Sequence, residues 1–272
     1  MNRNILVLVI SFLFCSYTFG QSFKENFWKA LDARDMAKAE EVLKAWDLRD
    51  ANDSELYVAY FNFFTVKSIN DMTGSYDKEN SRKALEFITE GIERFPTRFD
   101  MRVAKIYMLD QLKDYTSYTS EVLKLIRQGD KIKNDWKGEN FSLIDRADEM
   151  FFEGVLEFQN MLFEKGDATL YRNIIQISEE MHKYYPRNSQ FMLSLSTVYI
   201  AQKEYDKSLE TLLKAEKVDP RNSILLYNIA HVYGVKGDKG NAKKYYELAI
   251  ANIKEKEEPL KEAAQRQLNL LK

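Results

Sequence analysis

Pro186-Arg187-Asn188-Ser189 recurs as Pro220-Arg221-Asn222-Ser223, 34 positions later. Each copy closes one run of helical periodicity and opens another. Proline lacks a backbone donor and its ring clashes with the preceding turn, so it punctuates helices rather than continuing them. All four prolines, Pro96, Pro186, Pro220 and Pro259, follow or start a helix-like run. With only 10 glycines and no alternating strand pattern of useful length, the chain reads as helical throughout. In the unit from Ser189 to Asn222, Met192, Leu195, Ser196 and Tyr199 mark a first helix, and Ser208, Leu212 and Ala215 a second. In the unit from Ser223 to Lys256 the marks are Leu226, Ile229, Ala230 and Tyr233, then Ala242, Tyr246 and Ala249. Small residues at Ser196, Ala215, Ala230, Ala242 and Ala249 let two antiparallel helices approach, while large residues at i, i+3, i+4 and i+7 fill the seam. Gly237 can take the left-handed conformation that ends the first helix. One pair cannot bury its stripe alone, so neighbours must stack.

This period and pattern resemble the tetratricopeptide repeat family, whose units ask for a large residue, Leu, a small residue and Tyr, then small, aromatic, small and Pro. Met192 stands in place of the usual Trp, and Leu212 in place of an aromatic. The resemblance implies an all-α fold, a right-handed superhelical solenoid of about six antiparallel helix pairs ending in a capping helix over Pro259–Lys272. It covers nearly all of residues 21–272, most specifically 189–222 and 223–256. Earlier pairs are more degenerate. Trp28 and Ala30 lie on the first helix of pair one, behind a Ser22–Glu25 capping box, and Ala39 and Leu43 lie on its second. Ser54–Lys67 and Arg82–Arg94 form the next pair around a polar loop, Asn70 to Asn80, with Ala84, Ile88 and Gly91 at small-large-small positions. Asp100–Leu109 and Tyr115–Arg127 make the third. The fourth runs from Ser142 to Tyr185, with an unusually long first helix reaching Glu164.

The chain of 272 residues is 45% hydrophobic and 30% charged, with a formal net charge of −2. A nucleic-acid binder would carry a basic footprint, and none is visible. At the N-terminus, Arg3 precedes an almost wholly apolar run from Ile5 to Phe19, short of the ~20 residues that a membrane helix needs. Thr18 and Gly20 supply small residues at the −3 and −1 positions, as in a secretory signal (residues 1–20) cut after Gly20. The expected location is therefore the periplasm or cell envelope of a Gram-negative bacterium. Two alternatives attach the chain to a membrane: an uncleaved anchor, or lipidation of Cys15, although Phe14 stands where bacterial lipoproteins carry a small residue. Cys15 is the only cysteine, so cleavage removes both disulfide and thiol chemistry.

Catalytic and metal sites are not expected, and no cofactor is implied. His182 and His231 are the only histidines, and neither has a partner at metal-ligand spacing. His182 near a helix end reads as a surface residue at a favourable cation position. Carboxylates such as Glu179-Glu180 and Glu255 to Glu258 lie in solvated charged stretches rather than as a facing pair. Gly234, Gly237 and Gly240 span a repeat turn and lack the spacing of a phosphate loop.

The resemblance implies instead that first helices line a concave groove. Its inward positions are Gln190, Leu193, Ser194, Thr197 and Ala201, then Ile224, Tyr227, Asn228, His231 and Val235. Asn228 stands where groove-binding members grip peptide backbone. Leu193 and Thr197 stand where the family's carboxylate clamp has Lys and Asn, so recognition of a free C-terminus is not implied. Tyr227, Asn228 and His231 face either a partner or the closing helix. Trp136, in the polar segment Gln128 to Asn140, either anchors a partner or folds back on the core. The expected function is a non-catalytic scaffold in the cell envelope that binds a protein or peptide partner. The alternatives are a membrane-tethered envelope assembly factor and an enzyme of unrecognised type.

Overall fold

A computed structural model describes residues 20–133, 135–254 and 257–271. The signal-like segment and Cys15 lie outside them. Among the described residues there are 13 α-helices and two short 3-10 turns, and the protein is all-α. The helices are α1 (Gly20–Asp32), α2 (Met36–Arg49), α3 (Ser54–Ser68), α4 (Lys78–Arg94), α5 (Phe99–Gln111), α6 (Tyr115–Ile132), α7 (Ala147–Glu164), α8 (Tyr171–Tyr184), α9 (Ser189–Ala201), α10 (Tyr205–Val218), α11 (Ser223–Val235), α12 (Lys239–Ala251) and α13 (Glu258–Leu270). Helices α1–α2, α3–α4, α9–α10 and α11–α12 pack as consecutive pairs, α8 packs against both α6 and α7, and α13 closes on α12. The sequence reads as one array, whereas the chain divides into two compact units, Met1–Met101 and Arg102–Lys272.

In the first unit, Phe27 and Leu31 of α1 pack with Ala39, Leu43 and Trp46 of α2 and with Leu56 and Phe63 of α3. Helix α1 starts at Gly20, so Ser22 lies inside its first turn instead of capping it. Helix α4 starts four residues before the expected Arg82, because Asp77 accepts from the backbone N–H groups of Glu79 and Asn80. Gly91 of α4 meets Tyr57 of α3 so closely that a Cβ there would stand 2.8 Å from the Tyr57 Cβ. A buried ion cluster adds to this packing. The fully buried Arg98 guanidinium donates to Glu55 Oε1 at 2.6 Å, to Ser54 Oγ at 2.7 Å and to both carboxylate oxygens of Asp100. Lys24 Nζ reaches the other Glu55 oxygen at 3.1 Å. Several hydrogen bonds share the desolvated charges, which is what a buried carboxylate requires.

In the second unit, α6 extends to Ile132, beyond the expected Arg127, because its buried stripe continues through Leu125, Ile126 and Gly129. Trp136 is 1% exposed and its ring stacks on Phe151 at 6.1 Å. The tryptophan therefore folds back on the core and is not presented as a surface anchor. In the second half of this unit the recurring tetrapeptide has a direct physical meaning. Asn188 caps α9 by accepting from the Gln190 N–H, and Asn222 caps α11 by accepting from the Leu225 N–H. Each proline thus sits between a helix end and the asparagine that starts the next helix. The tight turn inside each pair needs a left-handed residue. Gly237 supplies it at φ 81°, and Lys203, 34 positions earlier, adopts φ 61° in the equivalent turn.

Ala215, Ala242 and Ala249 have no exposed surface, and Ser208 and Leu212 are equally enclosed. Replacing Ala242 with Leu forces three extra carbons into the α11–α12 seam. We expect a loss of roughly 1–3 kcal/mol in urea unfolding. Unchanged stability would mean that position 242 does not lie in the seam.

Candidate functional site

The site is built by the 34-residue register. Ser196 of α9, Ala230 of α11 and Ala264 of α13 are spaced at that interval and are all 0% exposed. They mark where each first helix touches its neighbours. Ser223 Oγ, at the start of α11, donates to Glu257 Oε2, just before α13, at 2.7 Å across the same interval. Helix α13 therefore takes the place of the first helix of a further unit, stacked on α12, with Ala264 and Leu268 entering the core beside Tyr246 and Ala249.

Opposite this packing edge, α11 presents Ile224, Tyr227, Asn228, His231 and Val235. A spacing of three or four residues keeps them on one side of the helix. Ile224 and Val235, at the two ends of this face, are 42% and 46% exposed, although both are large and apolar. Since α13 stacks one period on, it leaves these ends uncovered. Tyr227 is half-buried and packs edge-on against Tyr246 of α12, with ring centroids 5.4 Å apart. Among the described residues, the Asn228 amide has no hydrogen-bond partner in the protein, so its donor and acceptor are both available. His231 is half-buried, and burial pushes its pKa below the ordinary histidine value. The imidazole is therefore neutral at pH 7.

Helix α9 carries the equivalent face. Gln190 is exposed, and Ser194 and Thr197 are half-buried. The Thr197 hydroxyl donates to the Leu193 carbonyl of its own helix at 3.0 Å, leaving its lone pairs as the outward feature. The sequence-predicted positions on α9 and α11 thus fall at matching places on successive first helices of one unit, and Trp136 is not among them.

A further part of the face was missed in the sequence. On α7, Val155, Phe158, Gln159 and Leu162 are buried at the positions held on α11 by Leu226, Ile229, Ala230 and Tyr233. Gln159 replaces the small residue, and its amide donates to Ser178 Oγ at 2.6 Å and to the Ile174 carbonyl. The corresponding outward residues are Glu153, Leu156, Glu157, Asn160 and Glu164. Together with Met161 they line a shallow depression of about 380 Å³. The same positions on α13, Glu258, Lys261, Glu262, Gln265 and Asn269, line a second of about 400 Å³ together with Arg266. The signal for α7 was its apolar spacing, hidden by three extra residues before α8 and by a glutamine where a small residue was sought.

No group of three or more His, Cys, Asp or Glu side chains among the described residues is arranged to hold a metal ion. No helix among them is long and apolar enough to cross a membrane.

Residues 189–222 and 224–254 match the tetratricopeptide repeat family model. Several solved structures are similar to the chain at low identity. A MamA protein of Desulfovibrio magneticus RS-1, from its residue 41 onward, is 13% identical over 74% of this chain and 95% of its own, with a TM-score of 0.41. YrrB, described as a TPR protein with an unusual peptide-binding site, is 13% identical over 82% of this chain and 97% of its own, with a TM-score of 0.44. The C-terminal part of a TPR repeat-containing protein of Cytophaga hutchinsonii is 14% identical over 86% of this chain and 79% of its own, with a TM-score of 0.41. No curated protein matches the sequence. The matched repeats are α9–α10 and α11–α12, so this part of the chain consists of tetratricopeptide repeats.

The environment of His231 makes a pH prediction. Its folded pKa is depressed, so its contribution is intact above the ordinary value of 6.5. As pH falls from there, the unfolded chain takes up a proton that the folded chain resists, and stability is lost down to the folded pKa. We expect the wild type to lose more stability than His231→Gln between pH 7 and pH 5. Identical pH dependence in urea titrations would show that the imidazole is not held in an apolar setting.

Proposed function

We propose that the protein is a non-catalytic scaffold that holds a protein or peptide partner against the outward face of α7, α9, α11 and α13. The observation that carries this reading is the α11 face. Two exposed aliphatic side chains flank a tyrosine ring, an amide with no protein partner and a neutral imidazole. Ile224 and Val235 offer apolar contact to a bound side chain. Asn228 can donate to and accept from an extended backbone, and Tyr227 combines an apolar ring with a polar tip. Gln190, Ser194 and Thr197 continue the face on α9 with neutral polar groups. Such a surface recognises by shape and backbone hydrogen bonds, and needs no cofactor.

The place of action in this reading is the periplasm or cell envelope. Its support is the sequence of residues 1–20: Arg3, the apolar run Ile5 to Phe19, and small residues at Thr18 and Gly20. On this reading the secreted chain starts at Gln21, and the mass of the N-terminal peptide from native material should show it. A lipidated Cys15 or a retained Met1 would instead attach the scaffold to a membrane.

Binding is tested with a photo-reactive residue placed at His231 and, in a second chain, at Leu248, an exposed position of α12. The expected result is a crosslinked partner from position 231 and none from position 248, with the crosslink lost when Tyr227→Ala and Asn228→Ala are introduced together. Equal crosslinking from both positions, or retention in the double variant with unchanged melting temperature, would place binding elsewhere.

A further inference from the structure

We propose that the partner is a basic extended segment, whose lysines or arginines lie along α7 while an apolar side chain about six residues away seats on α11. This deepens the proposed function and rests on it.

The charge argument begins with α7. Over 18 residues, from Ala147 to Glu164, it carries five carboxylates and no lysine or arginine. A solvent-exposed helix is usually stabilised by opposite charges three or four residues apart. Other helices of this chain follow that habit, as in Lys44–Glu40, Lys83–Glu79 and Lys214–Glu210. Glu153, Glu157 and Glu164 do not. All three are exposed, and none has an ion-pair partner among the described residues. Glu157 accepts a hydrogen bond at 2.6 Å from the Tyr107 hydroxyl, a neutral donor that holds the carboxylate outward without cancelling its charge.

These three glutamates are not a scattered acidic cluster. They occupy outward positions of the same register that places Ile224, Asn228 and Val235 on α11, and they rim the depression over Leu156 and Met161. The α9 face between them adds no charge. On α13 the depression is lined by Glu258 and Glu262 and by Lys261 and Arg266, so its charges balance. The negative charge of the face is therefore concentrated on α7, beside an apolar and neutral middle. An acidic segment would meet like charge along α7, while a basic one would supply the cations that α7 lacks.

Geometry sets the spacing. First helices α7 and α11 are two periods apart, and packed helices lie ~10 Å from one another, giving ~20 Å. An extended chain covers that distance in about six residues at ~3.3 Å each.

The test uses the full chain and two fluorescent peptides of 12 residues. One has three lysines at one end and a Leu-Phe pair beginning six residues on; its twin has glutamates in place of the lysines. We expect the lysine peptide to bind at least tenfold more tightly than its twin, with an affinity that falls as salt is raised. The triple variant Glu153→Gln, Glu157→Gln, Glu164→Gln should lose tenfold or more for the lysine peptide at an unchanged melting temperature. Tyr227→Ala should weaken it without altering the salt dependence. Should the glutamate peptide bind as well as the lysine peptide, and lose affinity in Tyr227→Ala, the basic-segment proposal falls while the groove reading stands. Failure of the lysine peptide to bind the wild-type chain, or binding indifferent to both sets of substitutions, would overturn the proposal as well.

Discussion

The structure of the second unit depends on one constraint: antiparallel helices must come close enough for backbone to meet small side chains. Ser196, Ser208, Ala215, Ala230, Ala242, Ala249 and Ala264 have no exposed surface, and their spacing carries the 34-residue register from Ser196 to Ala264 without a break. Each apolar stripe is too small to stabilise one pair, so stability comes from neighbour on neighbour. The same close approach rotates each first helix into one orientation. It thereby decides which residues point away from the packing edge.

Where that constraint is written in small residues, the sequence was legible. Helices α9 to α12 fall where the paired prolines, the capping asparagines and the alanines place them. Elsewhere the reasons for difference are local. Asp77 starts α4 early because a carboxylate beside free N–H groups extends a helix that periodicity alone begins at Arg82. Trp136 lies in a polar stretch of sequence, yet Phe151, nearby in space but 15 residues on, offers its ring a stacking surface. The division at Met101 had no local mark either, since it lies within the continuous helix α5.

The face itself was legible only in part. Positions on α9 and α11 followed from the repeat, because both copies share one length. The α7 positions did not, since Gln159 fills the small-residue site by hydrogen bonding to Ser178 and the Ile174 carbonyl. That substitution trades a tight apolar contact for a buried polar one, satisfied at its donor end. It hides the repeat from any pattern that looks for size. Once α7 is aligned by its buried residues, its unpaired glutamates become part of the same surface as Asn228.

The central claim is that α7, α9, α11 and α13 share one register despite the extra residues before α8. It is tested most directly by spin-label distances in the chain with Cys15 replaced by Ser. One pair of labels is placed at Glu157 and Asn228, the other at Ser194 and Glu262. Each pair spans two periods, so both should give one distance distribution centred at ~20 Å. A difference between the two of a full helix diameter, ~10 Å, would show that α7 stands out of register and that no continuous face exists.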